Sequence, residues 1–183
     1  MTRALPVLTV SLMACMAAMP LPAFGTTRLV TTPSSPSDNK PNSAAVPDAY
    51  AVSGNFSRIV VIRVKFKTDL LAGIEQQVKA QHIRNGVILS GIGSLRGYSV
   101  HQVSNRDFPT QNIFTEERDT PCDLVGMNGY VVDGKVHAHM TLGTGTKAIA
   151  GHLEPGTEVF TYAIITVGVL DADLKGVDDK NYR

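Results

Sequence analysis

The chain has 183 residues and a formal net charge of +1, with 43% hydrophobic and 18% charged residues. That length suits one domain with appendages, and the charge balance lacks the strong basic excess that marks many nucleic-acid binders. Two cysteines, Cys15 and Cys122, are too few for a disulfide-stapled scaffold.

Residues 1–25 read as a secretory signal peptide. Arg3 supplies the charged start, residues 5–18 are apolar, and Ala23-Phe24-Gly25 has the small-x-small form of a cleavage site. Pro20 and Pro22 break the apolar run, which is short for a membrane span. The expected location is therefore the periplasm or the medium. Leu12-Met13-Ala14-Cys15 is a looser match to a lipoprotein signal, which makes anchoring at Cys15 the lesser alternative. Cleavage after Gly25 removes Arg3 and no acidic residue, so the formal net charge falls from +1 to zero. It also removes Cys15 and leaves Cys122 alone, read as a small buried apolar side chain, with a fourth metal ligand as the sharper alternative. Residues 26–47 are rich in Thr, Ser and Pro and offer little to bury, so a flexible linker is expected there. The folded domain is expected over 48–183, without internal repeats.

Residues 58–67 alternate. Val60, Ile62, Val64 and Phe66 share one face, and Val61, Arg63, Lys65 and Lys67 the other, as in a half-buried strand. Thr68-Asp69 can cap a helix in which Leu71, Ile74, Val78 and His82 recur at helical spacing, with Asn85-Gly86 as its stop. Residues 87–95 are small and apolar and read as a buried strand. Gly91, Gly93 and Gly97 come close to a dinucleotide fingerprint, but the third glycine is one residue late and no helix follows. Gly143-Thr144-Gly145-Thr146-Lys147 likewise lacks the spacing of a phosphate loop. Residues 98–103 continue as a strand carrying His101. Residues 104–121 are polar and read as a loop with room for one edge strand. Residues 123–132 and 135–142 are strand-like and joined by Asp133-Gly134, a strong hairpin signal. Pro155-Gly156 marks a turn. Residues 159–170 read as a strand buried on both faces, and the charged tail 171–183 is expected to fray. One helix and about six hairpin-connected strands make an α+β or mainly β domain around an antiparallel sheet or barrel.

Three of the five histidines lie between Val136 and Leu153. On a strand, His137 and His139 share one face while Val136, Ala138, Met140 and Leu142 take the other. Their Cα atoms would be roughly 6.5–7 Å apart, a span across which two imidazoles can converge on one ion. Gly143, Gly145 and Gly151 let the chain turn back, and pairing the next strand alongside would bring His152 within reach. Three imidazoles without a thiolate suit Zn, Cu, Fe or Ni and leave a coordination position for water. The alternative is a hydrogen-bonded histidine cluster without metal.

Val136-His137-Ala138-His139 followed by Gly151-His152-Leu153 resembles the signature of the plants-and-prokaryotes conserved (PPC) domain. The resemblance extends over residues 56–170 and includes Gly91-Ile92-Gly93-Ser94-Leu95 and the turn at 129–134. It implies an α+β domain with a strongly curved antiparallel sheet, or partial barrel, assembled as a trimer. It also implies a metal site at His137, His139 and His152, and a fold similar to acetolactate decarboxylase. Plant members carry an AT-hook, the source of the DNA-binding label, and this chain has no Arg-Gly-Arg-Pro. The family often places a glutamate in the strand after Gly-His-Leu, where this chain has Ile164; Glu154 and Glu158 are the nearby carboxylates, read as surface residues.

Three functions compete. The first is a module holding a divalent transition metal, zinc by preference, with a small-molecule ligand. The second is a metal-dependent lyase or hydrolase, with Arg96 as a carboxylate anchor. The third, DNA binding, is disfavoured by the charge and the export signal.

Overall fold

Strand β2 (Phe56–Lys65) realises the alternation: Ile62 and Val64 are buried, and Val61, Arg63 and Lys65 face out. The computed structural model describes residues 25–31, 41 and 43–177; the signal-peptide reading of 1–24 lies outside them. Helix α1 (Leu70–Ala80) follows, capped by Asp69, whose Oδ1 accepts a hydrogen bond from the Ala72 amide at 2.9 Å. The other oxygen, Oδ2, accepts from the Gly156 amide at 2.7 Å and so ties the helix start to the turn at Pro155-Gly156. Replacing Asp69 by alanine is expected to cost about 1–2 kcal/mol, because cap and turn lose the same side chain. Chemical denaturation with an unchanged slope would show it.

The helix stops earlier than Asn85-Gly86. His82 adopts a left-handed conformation (φ +50), the Ile83 amide reaches back to the Val78 carbonyl, and the His82 amide to that of Lys79. These bonds satisfy the last carbonyls without a glycine. The buried stripe is Leu70, Ile74 and Val78; Leu71 is partly buried and His82 is exposed.

Strand β3 (Gly86–Val103) is one 18-residue strand where two were expected. Its pairing with β8 (Glu158–Leu170) shifts register three times, and such bulges bend a strand without ending it. Its first half also pairs with β5 (Cys122–Val132), and its last residues with β4 (Gln111–Glu117). Strands β5 and β6 (Lys135–Gly143) form the expected hairpin, with Asp133 and Gly134 at φ +49 and +79. Strand β7 (Ala148–Leu153) pairs with β6 and then meets β3 again at Val100 and His101. The sheet thus curls onto itself through β3, β5, β6 and β7, as a curved sheet and not an even barrel. With the single described helix on its inner side, this is an α+β fold.

Three expectations change. Within the stretch read as a linker, strand β1 (Thr26–Thr31) pairs with the edge strand β4. Its Thr and Val residues favour the extended state, and β4 offers an open row of backbone donors and acceptors. Strand β8 is buried on one face only: Val159, Ala163, Ile165, Val167 and Val169 are inside, while Phe160 and Tyr162 are exposed. Among the described residues no second layer covers that outer side, so composition alone overstates its burial. The tail does not fray as far as it is described. Leu174 is buried, Asp171 accepts from the Asn55 amide at 2.6 Å, and the Ala172 carbonyl accepts from Asn85 at 2.9 Å. No helix among the described residues is long and apolar enough to cross a membrane.

Candidate metal centre

Strand register assembles the histidines. His139 of β6 stands directly across from His152 of β7, and His152 directly across from His101 of β3. These three form one row across neighbouring strands. His137 lies two residues before His139 on the same face, opposite Tyr130 of β5. The alternate residues Ala138, Met140 and Leu142 point into the core and are buried, which holds the imidazoles outward.

Two glycines permit this approach. A Cβ at Gly151 would lie 2.7 Å from the His101 carbonyl oxygen and 3.0 Å from Val100 Cβ. A Cβ at Gly129, which sits at φ +147, would lie 2.1 Å from the His137 carbonyl oxygen. Larger residues would push β7 from β3 and β5 from β6, and so spread the cluster.

The Nε2 atoms of His137 and His139 are 3.2 Å apart. Two nitrogens on a tetrahedral zinc ion stand about 3.3 Å apart, given bonds of about 2.0–2.1 Å. The His152 ring lies 4.8 Å from that of His137 and 5.3 Å from that of His139, edge-on to both. One nitrogen from each of the three residues falls within 4.8 Å of the others. The three imidazoles could therefore hold a single divalent ion. His139 is exposed and His137 and His152 are half-buried, so one side of such an ion faces outward. Beside His137 and His139 opens a cleft of about 400 Å³, walled by Val87, Asn128, Tyr130 and Val177.

Two further residues join the cluster. His101 Nδ1 lies 2.5 Å from Glu154 Oε1, and its ring is 4.6 Å from that of His152. His101, His152 and Glu154 form a second convergent donor group, all half-buried. Glu154, read from sequence as a surface residue, is half-buried beside His101 and His152. The signal was present: Glu154 is two residues after His152 and so shares its face if the strand geometry runs past Leu153. His101 carried no local signal, because only the β3–β7 pairing brings it in.

Other expectations part from the site. Cys122 is a core residue and belongs to neither donor group; burial, helped by Asp123 and Glu117, pushes its thiol up to about 11. Arg96 is ion-paired with Glu158 and stacked over Phe66, outside the donor groups and the cleft. Ile164 lies on β8 between Arg63 and Ile92, also outside both donor groups. Lys147 bonds Glu117 at 3.0 Å and pins the β6–β7 turn to the end of β4. Burial opposes the Glu117 charge, but hydrogen bonds from Lys147 and Thr120 outweigh it and hold the carboxyl below its ordinary range.

The family model of the Plants and Prokaryotes Conserved (PCC) domain matches residues 51–171. The chain belongs to the PCC domain family. Among solved structures, a metal-containing protein from Archaeoglobus fulgidus is similar over 73% of this chain and 96% of its own, at 19% identity and TM-score 0.60. A plant- and prokaryote-conserved protein from Pyrococcus horikoshii is 25% identical, with coverages of 69% and 85% and TM-score 0.51. A candidate DNA-binding protein from Bacteroides thetaiotaomicron is 18% identical, with coverages of 64% and 83% and TM-score 0.51. Among curated proteins none matches the chain. The PCC assignment agrees with the fold built above: a curved antiparallel sheet with one helix and a histidine cluster that could hold a metal.

Proposed function

We propose that this PCC-domain protein is exported and binds one divalent transition metal, zinc by preference, through His137, His139 and His152. The observation that carries this reading is the 3.2 Å separation of two Nε2 atoms on one strand, with a third imidazole converging from the neighbouring strand. Three imidazoles without thiolate are the donor set of open zinc sites, where bound water or substrate takes the fourth position. The presence of metal in the Archaeoglobus relative supports the reading. The adjoining cleft gives a small-molecule ligand room beside that fourth position, and its size lies within the usual range for ligand pockets.

The cleft would offer such a ligand polar groups from Asn128, His137 and His139 and apolar contact with Val87, Ile88, Val132 and Val177. A metal-dependent lyase or hydrolase, resembling acetolactate decarboxylase, is the second reading, favoured by the Glu154–His101 pair beside the three histidines. DNA binding is not proposed, given the near-neutral charge.

The assembly we propose is a homotrimer. Register lines up Ile92, Ile164 and Arg63 across β3, β8 and β2, with Val61 two residues before Arg63 on the same face, and Val125 on β5 follows Leu124, the partner of Gly93. Val125, Ile92 and Val61 are each more than half exposed in the single chain, an apolar sheet face suited to a partner. Light scattering should give three chains per particle.

Stripping the metal should lower the melting temperature. At an ion concentration 100 times the Kd, binding adds about 2.7 kcal/mol of stability, roughly 5–11 °C for a chain of this size. Equal melting with and without a chelator, after incubation with excess zinc, would reject the metal reading.

A further inference from the structure

We propose that His101, His152 and Glu154 form a second divalent-cation site beside the three-histidine site, so that the cluster holds two ions. The proposal rests on the metal reading above only through His152, which both donor groups share. It starts from the row His101–His152–His139, in which the β3–β7 and β6–β7 pairings put one histidine on each of three adjacent strands. His152 is the middle member, with a ring on either side at 4.6 and 5.3 Å. On the β6 side the third donor is His137. On the β3 side it is Glu154, whose carboxylate is 2.5 Å from His101 Nδ1. Each side therefore has its own pair of donors and a claim on the central imidazole.

The two groups are not one larger shell. His101 and Glu154 do not fall within 4.8 Å of the His137 and His139 donor atoms as a single group, whereas each triad does so within itself. One ion bonded at about 2 Å cannot collect all five donors without moving strands that the β3–β7 pairing fixes. The second group also differs in chemistry. Two imidazoles and a carboxylate make a harder donor set than three imidazoles, of the kind that takes iron, manganese or zinc. The carboxylate further offsets the charge of the ion. All three donors are half-buried, unlike an exposed acidic cluster, and the Phe114 ring packs 5.0 Å from that of His101 to hold its orientation. When both sites are filled, His152 presents one ring nitrogen to each ion as an imidazolate, its remaining N–H proton having passed to solvent.

The test is a Co²⁺ titration of the untagged full chain, followed through the visible absorption of bound cobalt and confirmed by metal analysis after gel filtration. The wild type should saturate at two ions per chain. A His101→Ala/Glu154→Gln variant should saturate at one, with a spectrum of three-imidazole ligation lacking the carboxylate. Glu154→Gln alone keeps a hydrogen-bonding partner for His101 and should weaken the second ion at least tenfold without changing the circular dichroism. Saturation of the wild type at one ion, or no change in His101→Ala/Glu154→Gln, overturns the second site. If instead His137→Ala/His139→Ala leaves the stoichiometry unchanged, the three-histidine reading falls while the second site stands.

Discussion

Replacing both His137 and His139 by alanine is expected to remove one ion per chain and leave the fold intact. Both side chains project from the outer face of β6, while the core contacts of that strand come from Ala138, Met140 and Leu142. Deleting these imidazoles leaves the core packing of β6 in place, and the metal-free stability should change by no more than about 1 kcal/mol. The metal-loaded stability should fall by the whole linkage contribution, about 2.7 kcal/mol at an ion concentration 100 times the Kd. His152→Ala should remove the same ion and, because both donor groups share this imidazole, weaken the second as well. Metal analysis beside parallel thermal melts separates the two effects. An unaltered metal content in the double variant would mean that the ion sits elsewhere.

The largest structural effect is expected at Gly151. Its added Cβ would sit 2.7 Å from a backbone oxygen of β3, a contact that side-chain rotation cannot relieve. Gly151→Val should destabilise the chain by about 1–3 kcal/mol or more, as overpacking does. The strand it displaces carries His152, so metal affinity should fall in the same variant even though no ligand has been removed. Gly145→Ala is the control: nothing lies within 4 Å of a Cβ there, and stability should hardly change. Comparison of denaturation midpoints and cobalt affinity for the two variants checks both halves. A stable Gly151→Val protein with normal metal affinity would show that the β3–β7 seam does not shape the site.

These contrasts explain what could be read from sequence. Alternation in β2, the Asp69 cap and the Asp133-Gly134 hairpin are local, and each is decided by a few neighbouring residues. The pairing of β6 with β7 was within reach as well, because a short glycine-containing turn connects them. The return of β7 to β3 was not, since Val100–Leu153 and His101–His152 join residues some fifty positions apart. His101 was missed for that reason, and Glu154 was read as a surface carboxylate because it did not align with the family's glutamate at the place of Ile164. Burial failed in a different way. The β-branched run of β8 is apolar on both faces, and sequence cannot tell a face covered by a second layer from one left exposed.

The most direct measurement is element-specific anomalous scattering from crystals of the purified full chain. The expected result is a peak at the zinc edge about 2.0–2.1 Å from one nitrogen each of His137, His139 and His152. A metal-replete crystal with no peak there, or with its only peak away from these three imidazoles, would contradict the central claim.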